Sequence, residues 1–120
     1  MSFHIAGGRA HSLVRRLLLG GACWLVFLGC GRESQHGPTL HTVTIHQLRF
    51  DPDSLQVAPG DTVEWLNRDI VPHTATAANG KWDSKTLQPN ASWRTVFTAA
   101  GVEPYGCTVH TTMTGRIEVR

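Results

Sequence analysis

A chain of 120 residues, 41% of them hydrophobic, holds enough material for one domain around one core, which rules out most multi-domain enzymes. Its formal charge of +2 belongs to the N-terminus: setting aside Arg9, Arg15 and Arg16 leaves 8 basic residues from Cys30 onward against all 9 acidic ones. The remainder is about −1 with His neutral and keeps no basic stripe, which excludes nucleic acid as a partner.

The first elements in chain order are targeting segments. A basic stretch ending in Arg15 and Arg16 runs into the apolar Leu17–Gly29 and stops at Cys30. As a helix, thirteen such residues reach ~20 Å, short of a hydrocarbon core of ~30 Å, so residues 1–29 read as an export signal rather than a spanning anchor. Phe27-Leu28-Gly29-Cys30 resembles the lipobox of bacterial lipoproteins, with Phe27 where Leu is usual. That resemblance implies a lipid on Cys30, membrane anchoring on the periplasmic or cell-surface side, and an outer-membrane address in a Gram-negative host, because Gly31 rather than Asp follows. Residues 30–39 are then the lipidated Cys and a polar, turn-rich tether. Once Cys23 leaves with the signal and Cys30 is lipidated, Cys107 remains as a lone thiol, a liability in an oxidising compartment unless a metal occupies it.

From Leu40 to Arg120 alternation replaces helical periodicity. Thr42–Ile45, Leu55–Val57 and Thr62–Trp65 read as half-buried strands separated by the turn sequences Asp51-Pro52-Asp53-Ser54 and Ala58-Pro59-Gly60-Asp61. Trp93, Thr95 and Phe97 alternate with polar partners, Ala100-Gly101 turns the chain, and Gly115–Val119 closes it. The segment from Ala75 to Asn90 carries no regular pattern. The expected fold is all-β, a Greek-key sandwich or barrel. Trp65, Trp82 and Trp93 read as packing residues rather than redox relays. His36, His41 and His46 read as tether or strand-face positions rather than a second metal set.

The chemistry lies in Tyr105–Gly115, where Cys107, His110 and Met113 follow at three-residue intervals, so that one tight loop can present thiolate, imidazole and thioether together. These are soft ligands suited to copper, and two histidines with one thiolate and a weak Met describe a blue-copper electron-transfer site. Val71-Pro72-His73-Thr74 supplies the second histidine, at a strand end.

Taken with Gly60–Trp65, Pro72-His73, Trp82-Asp83-Ser84, Gly101–Cys107 and Met113–Ile117, the pattern resembles the plastocyanin and amicyanin branch of the cupredoxins over nearly the whole domain, residues 40–120. The resemblance implies His73, Cys107 and His110 as equatorial ligands and Met113 as the axial one. The short spacing from His110 to Met113 is amicyanin-like. The chain departs from the amicyanin loop, which has proline on either side of its histidine, at Val109 and Thr111, and from the family's common Asn after the first histidine at Thr74. The N–H groups restored at Val109 and Thr111 are candidates for hydrogen bonds near the thiolate.

The expected function is a single-electron carrier with one type-1 copper, no enzyme, and a monomer. Transient redox partners would dock near His110, with Val71, Pro72, Val109 and Met113 as candidate rim residues. The alternative is a copper buffer or delivery protein of the envelope, which favours exposed Met and His clusters, and this chain has two methionines in all.

Overall fold

The computed structural model describes residues 37–120; residues 1–29, expected to be an export signal, and Cys30 and His36 lie outside the described residues. Alternation of apolar and polar side chains builds the strands. In β4 (Thr62–Asn67) Val63, Trp65 and Asn67 point inward while Thr62, Glu64 and Leu66 are half-buried, and β1 (Leu40–His46) buries Val43 and Ile45 in the same way. With β2 (Arg49–Asp51) and β6 (Ser92–Val96) they form a four-stranded sheet in the order β2-β1-β4-β6. β3 (Ser54–Val57), β5 (Thr76–Ala77), β7 (Gly101–Gly106) and β8 (Thr114–Val119) form a second sheet in the order β3-β8-β7-β5. The chain passes back and forth between the sheets, so β1 runs parallel to β4 and β3 parallel to β8. The fold is the expected all-β sandwich.

One core lies between the sheets. Val43, Ile45 and Phe50 from the first meet Tyr105, Ile117 and Val119 from the second. Each Ile or Phe so buried stabilises the fold by ~1.5–3 kcal/mol relative to exposure. Trp65, fully buried, sits among Trp82, Trp93, Phe97 and Tyr105 at ring separations of 5.0 to 6.3 Å, which gives the tryptophans the packing role expected of them. Burial pushes the Tyr105 phenol up to about 12, opposed by a weaker pull from the facing Trp65 indole N–H, which does not reach hydrogen-bond geometry.

Three features extend the sequence reading. β2 follows a turn at Gln47 and Leu48, both in the left-handed region (φ 51° and 57°) without a glycine. Gly101, expected in a turn, opens β7 instead. The unpatterned stretch from Ala75 to Asn90 holds the short β5 and the isolated bridge of Thr76 with Asp83, and its Leu87 bridges back to His73.

Candidate metal centre

Strand β7 delivers Cys107 to one end of the sandwich and β8 leaves it again at Thr114. The intervening loop is closed by its own backbone: Cys107 N–H donates to Met113 O at 3.1 Å and Met113 N–H to His110 O at 2.9 Å. A Cβ on Gly106 would lie only 3.0 Å from Met113 O, so a side chain there would press on this closure. His73 enters from the segment after β4, its backbone paired in both directions with Leu87 at 3.1 and 2.7 Å.

These connections bring three donor atoms face to face. Cys107 Sγ lies 3.8 Å from His73 Nδ1 and 3.9 Å from His110 Nδ1, and the two Nδ1 atoms are 3.1 Å apart. A metal at ~2.0 Å from nitrogen and ~2.3 Å from sulfur, at the centre of a flat N2S triangle, needs corners ~3.5 to ~3.7 Å apart, so the residues fit a metal with little movement. His73 and Cys107 are buried and His110 is half-buried, and among the described residues this is the one such metal-competent group. Met113, 2% exposed, packs in the same core cluster as Cys107. Imidazole, thiolate and thioether together select copper among the biological metals.

The supporting residues explain why the donors point inward. Asp69 Oδ2 bonds His73 Nε2 at 2.8 Å, which places the proton on Nε2 and leaves the Nδ1 lone pair for the metal. Burial works to raise the Asp69 carboxyl, but the N–H groups of Leu48 and Gln47 and the His73 ring outweigh it and hold it below the usual carboxylate range. Fully buried Asn67 accepts from Asp69 N–H and donates to Val71 O and Leu87 O, fixing the peptide that carries His73. Thr74 N–H donates to Cys107 Sγ at 3.3 Å, and Thr74 Oγ1 accepts from Thr108 N–H at 2.8 Å. The N–H group on the sulfur is therefore that of Thr74; neither Val109 nor Thr111 bonds to it. Asp69 and Asn67 were missed in the sequence, although Asp69 sits one helical-turn spacing before His73 in a stretch already singled out.

Val71 and Pro72, which precede His73 in the chain, and Val109, which precedes His110, are exposed, and Ile70 is 94% exposed. Met113 is not a rim residue: it is 2% exposed and packs in the core cluster. His41 pairs with Asp61 at 2.8 Å, and His46 is exposed.

Copper-binding proteins of the plastocyanin/azurin family match residues 38–120. The amicyanin of Paracoccus denitrificans is 32% identical over 82 residues, 64% of this chain and 63% of that protein. The plastocyanin of Nostoc punctiforme is 36% identical over 56 residues, 45% of this chain and 40% of that protein; the chain thus spans less than two thirds of either relative. A Cu(I) amicyanin variant superposes with a TM-score of 0.61 at 29% identity, over 68% of this chain and 82% of that one. The purple cupredoxin of Nitrosopumilus maritimus gives 0.61 at 28% identity, over 67% of this chain and 99% of that one. Fold, donor set and sequence thus agree that copper is the cofactor and that the chain belongs to the plastocyanin/azurin family of copper-binding proteins.

Proposed function

We propose that this chain carries single electrons on one type-1 copper held by His73, Cys107, His110 and Met113, and that it transforms no substrate. The convergence of two imidazole Nδ1 atoms and a thiol over a buried Met carries this reading. Copper held there would supply the Cu(II)/Cu(I) couple. The chain's residues do the rest. Asp69 fixes the His73 ring, Thr74 fixes the sulfur, and the loop bonds fix His110 and Met113, so the donor positions are set by the fold rather than by the ion. His73, Cys107 and Met113 are shut away from water, which leaves the half-buried His110 as the way out for the electron. The exposed Val109 next to it in the chain, and Val71 two residues before His73, are apolar residues for brief docking of a redox partner to the monomer.

The test is the visible spectrum of the metal-free protein on adding Cu(II). An intense thiolate-to-copper band that bleaches with one reducing equivalent and returns on oxidation supports the reading; a colourless protein sinks it.

The same proposal places the carrier at the cell envelope, with residues 1–29 as export signal, lipid on Cys30 and a tether ahead of residue 40. The apolar run Leu17–Gly29 ending at Cys30 supports it. The protein expressed in bacteria should partition with membranes and carry a diacylglyceryl mass, and Cys30→Ala should release it. Release of the unmodified parent chain into the soluble fraction would refute the anchoring.

A further inference from the structure

The outer face of the first sheet carries a basic row at its metal end. Ile45 of β1, Phe50 of β2 and Asn67 of β4 turn inward, so the exposed residues next to them, His46, Arg49 and Arg68, turn outward. The register sets these three side by side. His46 pairs with Arg49 across β1 and β2, and Ile45 pairs with Asn67 across β1 and β4. Arg68 N–H then donates to Ile45 O at 2.8 Å, which continues the second ladder one step past β4, toward the Asp69 that bonds His73. Arg49, His46 and Arg68 thus lie in line on three neighbouring strands, across two strand spacings of ~4.8 Å each.

The arginine charges in this row are open. Lys81, Lys85, Arg94 and Arg116 each have a carboxylate partner, whereas Arg49, Arg68 and Arg120 are in no ion pair among the described residues. The Arg68 guanidinium donates to Asn90 Oδ1 at 3.2 Å, a neutral acceptor that steadies the group and leaves its charge. Carboxylates close in the chain do not neutralise the row. Asp69 accepts the N–H groups of Gln47 and Leu48 and bonds the His73 ring, and Asp51, two residues after Arg49 on the same face, pairs with neither arginine. The turn between β1 and β2 points the same way. Gln47 and Leu48 are held at φ 51° and 57°, a conformation their side chains resist, and Leu48 is left 52% exposed. Backbone kept against its preference while presenting an apolar side chain marks a contact surface.

We infer that Arg49, His46 and Arg68 dock a carboxylate-bearing face of the redox partner protein. The inference names the partner of the copper-carrier reading and rests on that reading for the electron, while binding at the row can be read without copper. A guanidinium grips a carboxylate with two parallel N–H bonds, so Arg49 and Arg68 suit a protein face with spaced Asp or Glu. An anionic lipid surface fits less well, because charge recognition of lipid takes clusters of about 4–8 Lys or Arg. Opposite charge at the metal end also speeds encounter in a way that salt weakens.

The experiment uses the Cys30→Ala chain, so that no lipid contributes, and titrates it with decaglutamate at low ionic strength while following backbone amide NMR shifts, without metal and with Cu(I). Arg49→Gln/Arg68→Gln is compared with Arg94→Gln/Arg116→Gln, which removes the same net charge from paired positions. Shifts should centre on residues 46–49 and 68–70. Affinity should fall roughly fivefold in the first double variant, as expected for two exposed ion pairs, and less than twofold in the second. Equal losses in the two would show that net charge alone acts, and overturn the inference. Phosphatidylglycerol vesicles that bind the parent, and lose it in Arg49→Gln/Arg68→Gln, would assign the row to lipid and overturn it as well. With copper bound, oxidation of the Cu(I) protein by hexacyanoferrate(III) should be slower in Arg49→Gln/Arg68→Gln than in the parent at low ionic strength, and the gap should close in high salt. A gap that persists in high salt would place the effect in the metal site rather than in docking, against the inference. Failure of the copper reading shows separately, as absence of the thiolate band in the parent, and leaves the decaglutamate result standing.

Discussion

Asp69 Oδ2 lies 2.8 Å from His73 Nε2, and the same carboxylate accepts the N–H groups of Gln47 at 2.7 Å and Leu48 at 3.0 Å. One side chain thus orients the buried histidine proposed to hold the metal and braces the turn between β1 and β2. Asp69→Ala is expected to weaken metal binding by ~10–100-fold. Competition against a chelator of known affinity measures it; unchanged affinity would mean that packing alone orients the ring.

Met113, the proposed fourth ligand, can be tested with little structural cost. Met113→Leu keeps the buried volume, so the metal-free protein should lose less than ~1.5 kcal/mol in urea unfolding. Losing the thioether removes a donor that stabilises Cu(II), and the reduction potential should become more positive. If the potential stays where it was, the sulfur does not act on the metal.

Gly115 is required by a neighbour. A Cβ there would fall 2.5 Å from Tyr105 Cζ and 2.6 Å from its Oη, and the ring is buried against Phe50 and Trp65 and has nowhere to retreat. Gly115→Ala should cost ~1–3 kcal/mol of stability, read from the denaturation midpoint of the metal-free protein. A smaller loss would show that the aromatic cluster can slide.

Acid stability should follow Asp61. Its carboxylate accepts Thr39 N–H at 2.8 Å, bonds the His41 ring at 2.8 Å and accepts Ala58 N–H at 3.0 Å, and these bonds lower its pKa from 3.8 to about 2. A depressed carboxylate contributes stability that is fully present above the unfolded pKa of 3.8 and is lost as pH falls through about 2. The gap in thermal midpoint between the parent and Asp61→Asn should therefore be constant at neutral pH and close between about pH 4 and pH 2. A gap that stays open at pH 2 would assign the effect to shape rather than charge.

Much of this was legible in the sequence because the signals are local. Alternation in Thr62–Asn67 and the Cys107, His110, Met113 spacing each lie within a few residues. The turn at Gln47-Leu48 was not, because neither residue favours positive φ and the conformation is held by Asp69 from across the domain. For the same reason Thr74 stood out only as a departure from the family. That its hydroxyl takes Thr108 N–H, thirty-four positions later, depends on two strand ends meeting. Met113 lies in the loop between β7 and β8 but is buried rather than on the rim, since spacing gives order along the chain and not the direction of a side chain.

Cys107 is 4% exposed, with its sulfur already engaged by Thr74 N–H and facing two imidazoles. A thiol so enclosed presents little surface to a second thiol or to a diffusing peroxide. Cys107 of a newly folded domain can therefore wait for its metal without crosslinking, and the tightness that shapes the site also preserves it until use.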